Sequence, residues 1–343
     1  MSRKGAFAVF GLASLALLAV LAAAGRRYMQ SQTHSRDIFA MDTVMSLTAC
    51  GPRGEAAVDA AVAEILRLDA LLSTGAASSE VSQINGSGGG QVSEDTAALA
   101  RAALEAYGST DGAFDFTVYP LMRLWGFSTG EYHVPTAAEL EAVLPLVDAS
   151  LVRFDGSALT LSEGQQIDFG GIAKGYASAR TMEIFREYGV TSGMVSLGGN
   201  IQVLGRKPDG ALWRIGVQDP SASQGTPLAV VEVEDRAVVT SGGYERYFEK
   251  DGRTYIHILD PRTGYPAESG LLSATVICED GTMADALSTA LYVMGLEDAV
   301  SCWRESGGSF DMALLTTEGE MLVTAGVSGS FSSSVPVSVL ELQ

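Results

Sequence analysis

The chain has 343 residues, with 22 Lys and Arg against 41 Asp and Glu, which gives a formal net charge of −19. This balance argues against nucleic-acid binding, because such a protein needs clusters of basic residues that replace phosphate counterions. It also means that an enzyme acting on an anionic substrate needs a local source of positive charge, such as a metal ion. The hydrophobic content of 47% is sufficient for a sizeable core.

The N-terminus has the pattern of an export segment. Arg3 and Lys4 precede an apolar stretch, 6–25, without charge or proline; at about 1.5 Å per residue, it just crosses a hydrocarbon core of about 30 Å. We expect residues 1–27 to be a signal peptide or membrane anchor, with the rest of the chain outside the cytoplasm; a buried core helix is the alternative. Residues 28–38 are polar and predicted to be a linker.

The three cysteines, Cys50, Cys278 and Cys302, are scattered and form neither a disulfide framework nor a metal-binding spacing. The segment ending at Cys50 resembles a lipoprotein cleavage box, but it lies well beyond the apolar stretch. We therefore interpret Cys50 as a strand residue.

Hydrophobic spacing and turn residues predict a mixture of helices and strands. A capping box from Thr136 to Glu139 opens a short helix that must end or kink near Pro145, and Gly295 is expected to stop the last long helix. The pattern lacks a βαβ rhythm, so we predict an α+β fold with a mixed sheet in one body over residues 39–343. The predicted helices are 55–72, 93–107, 173–188 and 283–294; predicted strands lie in 39–50, on both sides of 162–168, in 194–239 and towards the C-terminus; 73–90 is a predicted loop.

Asp285 and Thr289 lie one helical turn apart in the last predicted long helix, and Ser288 is close to the same face. Carboxylate and hydroxyl oxygens are hard ligands that suit Mg²⁺ or Ca²⁺. The same spacing is common on a solvated helix face or in a cap, so the pattern alone leaves both interpretations open.

Two turns are candidates for ligand binding. In 167–176, a predicted strand end and a glycine pair precede Lys174 at a helix start, an arrangement that offers free N–H groups to an anion. The alternative is a tight turn with an ordinary surface lysine. In 111–117, a turn carries two carboxylates and two aromatic residues, and the alternative is a turn that leads into a core strand.

His257 is the best candidate for a general base among the three histidines of the chain. It alternates with Ile256 and Ile258, so its side chain is predicted to point away from theirs, and it lies close to Asp260 and Arg262. A histidine titrates near neutrality and suits proton transfer, although a lone strand histidine is also compatible with a structural role.

Taken together and in this order, eight segments resemble the ApbE family, the FAD:protein FMN transferases. Each segment alone is weak, but they span about residues 39–330, and their shared order is specific. The segments are Met41-Asp-Thr43, Ser79-Glu-Val-Ser-Gln-Ile-Asn85, Asp111-Gly-Ala-Phe-Asp115 with Trp125-Gly126, Asp168-Phe-Gly-Gly-Ile-Ala-Lys174-Gly175, Ser196-Leu-Gly-Gly-Asn200, Thr240-Ser-Gly242 with Tyr244-Glu-Arg246, His257-Ile-Leu-Asp-Pro-Arg-Thr-Gly264 and Ala284-Asp-Ala-Leu-Ser-Thr289.

The resemblance implies a Mg²⁺-dependent enzyme that attaches FMN from FAD to a Thr or Ser hydroxyl of a target flavoprotein through a phosphoester bond and releases AMP. It implies targets such as subunits of sodium-translocating NADH:quinone reductase and Rnf-type complexes. By motif, it implies His257 as the base, a metal site of Asp285, Thr289 and the Gly171 carbonyl with Ser288 nearby, and an FAD pocket of Met41, Ala113, Phe114, Asp115, Asp168, Lys174 and the Leu259 backbone.

Two positions depart from the family pattern. Gly75 follows Ser73-Thr74, where family members often carry an aromatic residue, and Asp42 stands where glycine is common. Two other functions remain open: a Mg²⁺-dependent FAD pyrophosphatase, in which water replaces the acceptor hydroxyl, and a periplasmic flavin-binding protein without catalysis. The joint presence of a candidate base and candidate metal ligands argues against a pure binder.

Overall fold

The computed structural model describes residues 31–223 and 225–342. The expected export segment, residues 1–27, lies outside these ranges. Among the helices in the described ranges, none combines the length and the apolar composition that crossing a membrane requires.

The described chain is a mixture of strands and helices, which confirms the predicted α+β class. The strands are β1 (Thr33–Ala40), β2 (Thr43–Cys50), β3 (Gly89–Gln91), β4 (Arg153–Phe154), β5 (Ala158–Thr160), β6 (Ser192–Leu197), β7 (Asn200–Leu204), β8 (Trp213–Gln218), β9 (Pro227–Val233), β10 (Ala237–Gly242), β11 (Tyr247–Lys250), β12 (Arg253–Ile256), β13 (Leu271–Cys278), β14 (Asp311–Thr316), β15 (Met321–Thr324), β16 (Phe331–Ser333) and β17 (Val337–Leu340). The helices are α1 (Gly54–Leu72), α2 (Glu80–Ser87), α3 (Glu94–Ser109), α4 (Tyr119–Leu124), α5 (Ala137–Val143), α6 (Ala173–Glu187), α7 (Gly281–Glu305) and α8 (Ala325–Ser328).

A nine-stranded sheet forms the centre of the described structure, in the order β1-β2-β6-β7-β10-β13-β14-β15-β17. Its neighbouring strands are antiparallel, except that β15 and β17 run parallel. Because side chains alternate across a strand, each strand contributes to two layers. On β2, for example, Met45, Leu47 and Ala49 are fully buried in the main core.

Helices α1, α6 and α7 lie side by side on one face of this sheet and bury their apolar stripes against it. The opposite face is covered by a three-stranded sheet, β16-β9-β8, which builds a second core around Trp213, Ile215 and Val231. A third apolar cluster joins α4 and α5 to the hairpin of β11 and β12, with Trp125 and Phe248 among its aromatic rings. The long sheet thus supports the helices whose N-termini carry the candidate site.

The N-terminal part of the body differs from the prediction in two ways. Residues 33–38, predicted as linker, belong to strand β1, so the linker prediction for 28–38 is wrong from Thr33 onwards. This strand lies at the sheet edge with mostly exposed side chains, and its sequence therefore lacks a clear apolar alternation. The predicted single strand over 39–50 is a hairpin instead, because Met41 and Asp42 adopt φ values of 47° and 59° and reverse the chain.

Two further segments differ from the prediction between residues 73 and 172. Helix α2 forms inside the predicted loop 73–90; Ser79 caps it, and it buries only Val81 and Ile84, so its periodic signal is short. Strands β4 and β5 precede 162–168 as expected, but none follows it. Ile167 exchanges two hydrogen bonds, of 2.7 and 2.8 Å, with the Asn85 side chain in place of a strand partner.

Of two other predicted boundaries, the first is confirmed, and the second is an interruption within a longer helix. The Thr136–Glu139 capping box opens α5, which ends before Pro145 in a 3₁₀ turn. Gly295, with a φ of 78°, forms a kink in α7 and does not end it, because helical residues resume after it and continue to Glu305. A side chain at this position would also meet the Ser269 carbonyl oxygen at 2.7 Å, so glycine is required both by conformation and by space.

Helices α6 and α7 lie in close contact at Gly175. A Cβ atom added there would lie 2.6 Å from the Asp285 Cβ and even closer to the Gly281 carbonyl oxygen. The absence of a side chain is therefore what allows the two helix starts to meet.

We expect Gly175→Ala to lower the free energy of unfolding by about 1–3 kcal/mol, because the added methyl group overpacks this contact. Urea denaturation measures the change. Gly86→Ala is the matched control, since nothing lies within 4 Å of that added Cβ and alanine is the better helix former. Equal stability of Gly175→Ala and the wild type would contradict the close contact.

Candidate functional site

Helix α7 places three oxygen-bearing side chains at its first turns. Asp285 is 5% exposed and Ser288 is fully buried. The Ser288 hydroxyl donates to the Asp285 carbonyl oxygen at 2.9 Å and shares a hydrogen bond of 2.8 Å with the Ser241 hydroxyl. The Thr289 hydroxyl lies 3.2 Å from the same Ser241 oxygen. The hydroxyls of Ser288 and Thr289 therefore form a cluster with Ser241 of β10, next to the Asp285 backbone.

The Gly175 N–H donates to Oδ2 of the Asp285 carboxylate at 2.8 Å. Burial raises the pKa of Asp285, and the charge of Lys174 and the Gly175 N–H oppose this rise. A desolvated carboxylate at this position is stabilised by positive charge, so the electrostatics favour a cation beside it.

The turn before α6 brings a second carboxylate to the same place. Burial raises the pKa of Asp168, and the Gly170 N–H, which donates to its Oδ1 at 2.7 Å, opposes this rise. The charges of Lys174 and Arg246 also lower the pKa, whereas that of Asp42 raises it. Basic and acidic groups from three separate segments therefore surround one region.

Gly171 lies between an aromatic ring and the hydroxyl cluster. A Cβ added to it would be 3.1 Å from Cε2 of Phe114 and 3.8 Å from Oγ1 of Thr289. The backbone of Gly171 is thus close enough to the cluster for its carbonyl to contribute a further oxygen. The ring of Phe114 is buried beside it.

His257 directly follows strand β12 and is half-buried. Its Nδ1 lies 3.0 Å from the Arg246 carbonyl oxygen. Because a carbonyl oxygen only accepts, Nδ1 carries the hydrogen and Nε2 keeps a free lone pair. Burial lowers the pKa of His257 to about 4, and the charges of Lys174 and Arg246 lower it further against the opposing effect of the Arg246 carbonyl. The imidazole is therefore neutral at pH 7 and able to accept a proton.

The remaining predicted pocket residues have different surroundings. Met41 lies at the β1–β2 turn, where its N–H donates to Asp69 Oδ1 at 3.1 Å. Ala113 is buried. Leu259 is buried and forms a bridge with Pro266. The Asp115 carboxylate accepts from the Thr117 and Ala149 N–H groups at 2.7 and 3.0 Å, so its side chain holds the loop together.

An aromatic residue lies close to Gly75, the position at which members of the family often carry an aromatic residue. The Tyr119 hydroxyl donates to the Thr74 carbonyl oxygen at 3.3 Å. Tyr119, at the start of α4, therefore lies beside this position.

Three functional candidates were missed by the sequence reasoning, although they lie within the eight segments. Ser241 joins the hydroxyl cluster, as described. Glu245 is exposed as a residue, but desolvation of its carboxyl raises its pKa to about 7, with Lys174 opposing and Asp285 reinforcing the shift. Asn200 is 1% exposed, and neither of its side-chain amide atoms has a hydrogen-bond partner. Burial and pairing, which single out these residues, have no signal in one sequence.

The acidic and basic groups do not form a conventional protein-only metal centre. Within residues 31–223 and 225–342, no group of three or more His, Cys, Asp or Glu side chains is placed to hold a metal. A cation beside Asp285 would therefore take the rest of its ligands from hydroxyl, carbonyl, water or substrate oxygens. This pattern is typical of Mg²⁺ sites that bind phosphates.

A neutral histidine, an oxygen cluster and a lysine in one region suit an enzyme that transfers a group from an anionic substrate. The ApbE family model matches residues 41–314. The fold is similar to that of the ApbE protein from Thermotoga maritima, with a TM-score of 0.79 and 35% identity over 84% of this chain and 96% of that chain.

Curated relatives agree with this match. The chain is 35% identical over 247 residues to an FAD:protein FMN transferase of Klebsiella pneumoniae strain 342, which covers 70% of this chain and 76% of the relative. It is 31% identical over 317 residues to an FAD:protein FMN transferase of Treponema pallidum, which covers 86% and 87%. The chain therefore belongs to the ApbE family, and it is a transferase.

We expect an NMR titration of ¹³C-labelled histidine to give His257 an apparent pKa near 4, because the folded chain desolvates its ring. The resonance is assigned by comparison with His257→Gln. As the unfolded value is 6.5, the unfolded chain takes up the proton first, and stability falls as the pH drops from about 6.5 towards 4. A measured value near 6.5 would contradict the buried, neutral imidazole.

Proposed function

We propose that this chain is a Mg²⁺-dependent FAD:protein FMN transferase, which moves FMN from FAD to a Thr or Ser hydroxyl of a target flavoprotein and releases AMP. The observation that carries the proposal is the neutral His257 close to the charges of Lys174 and Arg246, with Lys174 also acting on Asp285 of the oxygen cluster. The names of the curated relatives support FAD as the flavin donor.

Mg²⁺ fits the residues that are present. Asp285 offers a carboxylate oxygen, Thr289 and Ser288 offer hydroxyls, and the Gly171 backbone lies close to Thr289. Mg²⁺ prefers oxygen ligands and often takes one or two carboxylates together with substrate phosphates. When bound, the ion supplies charge neutralisation and polarisation of the pyrophosphate.

The protein residues perform the remaining steps. Lys174 and the N-terminus of α6 bind the pyrophosphate charge. Nε2 of His257 accepts the proton of the acceptor hydroxyl, which is far too weak an acid to ionise at pH 7 by itself. The hydroxyl oxygen bonds to the FMN phosphorus, the pyrophosphate bond breaks, and AMP leaves with the bond electrons.

The FAD pocket extends from this centre along apolar walls. Met41 at the β1–β2 turn and the buried Phe114 cover the flat isoalloxazine ring, as apolar side chains usually do for such ligands. Asp168 and the backbones of Ala113, Asp115 and Leu259 contribute polar contacts, and Tyr119 stands at the wall that lacks the family aromatic residue.

The sequence outside the described residues and the family resemblance also suggest where the enzyme acts. The apolar stretch 6–25, flanked by basic residues, supports an extracytoplasmic catalytic body that is anchored to or exported across the cytoplasmic membrane. We propose target subunits of the Rnf or sodium-translocating NADH:quinone reductase type.

The test incubates the purified protein with FAD, Mg²⁺ and such a target subunit, and analyses the target by mass spectrometry. We expect an FMN adduct on a Thr or Ser of the target and release of AMP. Free FMN and AMP without an adduct would contradict the transferase and favour the pyrophosphatase. FAD binding without either product would favour the non-catalytic flavin-binding protein.

In the same assay, His257→Ala is expected to lose FMN transfer while it retains FAD binding, because the acceptor hydroxyl loses its base. Removal of a general base typically lowers the reaction rate by about 10²–10⁴-fold. His133→Ala is the matched control: this histidine is paired with Glu139 on the surface, with both side chains 44% exposed. Full activity of His257→Ala would refute the assignment of the base.

A further inference from the structure

Two buried side-chain amides on β7 behave differently. Asn200 and Gln202 are two residues apart, so they point to the same face of the strand, and they are 1% and 5% exposed. The Gln202 Oε1 accepts from the Ser178 hydroxyl at 2.8 Å, and its Nε2 donates to the Glu279 carbonyl at 3.3 Å. Gln202 thus joins α6 to the start of α7 and is satisfied within the protein.

Asn200, in contrast, does not join two elements through its side chain. Its Nδ2 and Oδ1 are both buried without a hydrogen-bond partner, which is rare in proteins unless a ligand or an ordered water completes the bonding. The position of Asn200 suggests a role for this buried amide. Asn200 begins β7 directly after the Gly198–Gly199 turn, and its amide lies close enough to Asp285 to stabilise that carboxylate.

The Asp285 carboxylate can accept a hydrogen bond from this amide in addition to the one from Gly175. Oδ2 of the carboxylate already accepts the Gly175 N–H. The pKa of this carboxylate is also lowered by the nearby Lys174 N–H and by the Asn200 side-chain amide. A carboxylate that binds a metal is usually held by further hydrogen bonds, and these outer partners affect affinity.

We propose that Asn200 is a positioning residue of the metal site: its Nδ2 donates to the Asp285 carboxylate, and its Oδ1 accepts from a water in the Mg²⁺ shell. Mg²⁺ commonly retains several waters, so an acceptor beside the site has a partner. This inference rests on the Mg²⁺ dependence of the proposed function and adds a residue that orients the ligand.

The test measures Mn²⁺ affinity of the full-length protein by EPR of free Mn²⁺ in the presence of FAD, and FAD affinity without metal by flavin fluorescence. We expect Asn200→Ala to weaken Mn²⁺ binding by about 10–100-fold, as losses of outer-shell partners do, with FAD affinity unchanged. Asp285→Ala serves as the reference that abolishes Mn²⁺ binding.

Two further variants separate this role from a structural one. Gln202→Ala removes an equally buried amide from the same face and is expected to lower Tm without changing Mn²⁺ affinity. Asn200→Asp keeps the side-chain volume and places a second carboxylate beside Asp285, so it is expected to bind Mn²⁺ more tightly than the wild type, opposite in direction to Asn200→Ala.

Unchanged Mn²⁺ affinity in both Asn200 variants would overturn the inference while leaving the proposed function intact. Equal weakening by Gln202→Ala would also overturn it, since any buried amide would then have the same effect. If the wild type itself bound no Mn²⁺ with FAD present, the Mg²⁺ dependence would fail, and the role of Asn200 would fail with it.

Discussion

The contact between the starts of α6 and α7 is the constraint on which the rest of the site depends. Gly175 has no side chain, so its N–H reaches the Asp285 carboxylate at 2.8 Å. This hydrogen bond also places Lys174, the preceding residue, near the same carboxylate. It also brings the turn of Asp168 and Gly171 against the hydroxyl cluster of α7. The nine-stranded sheet beneath these helices supplies the rigid support that such a close contact needs.

The electrostatics of the site resolve the apparent conflict between a net charge of −19 and an anionic substrate. Asp168, Glu245 and Asp285 all have pKa values raised by burial, and Lys174 opposes the shift at each of them. The protein thus concentrates desolvated carboxylates around one lysine and a helix N-terminus. Such an arrangement gains from an added cation, which in turn makes the region attractive to a pyrophosphate.

The sequence predicted the parts of the fold that depend on local chemistry. The capping box at Thr136 and the break at Gly295 follow from single residues with strong backbone preferences. The polar edge strand β1 and the short helix α2 were not predicted, because one lacks an apolar face and the other is only two turns long. The turn at Met41 and Asp42 was not predicted either. Both residues have positive φ values, which usually indicate glycine, but neither residue is glycine.

The same distinction applies to the site. His257, Asp285 and Thr289 could be selected because their residue types and spacing suggest chemistry, and the ordered segments linked them to a family. Asn200, Ser241 and Glu245 could not, because their significance comes from burial and from neighbours far away in the chain. Asp115 shows the converse: the family motif implied a place in the FAD pocket, and in the structure its carboxylate accepts hydrogen bonds from the N–H groups of Thr117 and Ala149.

The central claim is that a cation held by Asp285 and Thr289 joins the protein to the pyrophosphate of FAD. A crystal of the protein grown with FAD and Mn²⁺ tests it directly through the anomalous signal of manganese. The account predicts one strong peak at a coordination distance of about 2 Å from an Asp285 carboxylate oxygen, in contact with the Thr289 hydroxyl and a phosphate oxygen. Bound FAD with no peak there, or with the peak elsewhere, would contradict it.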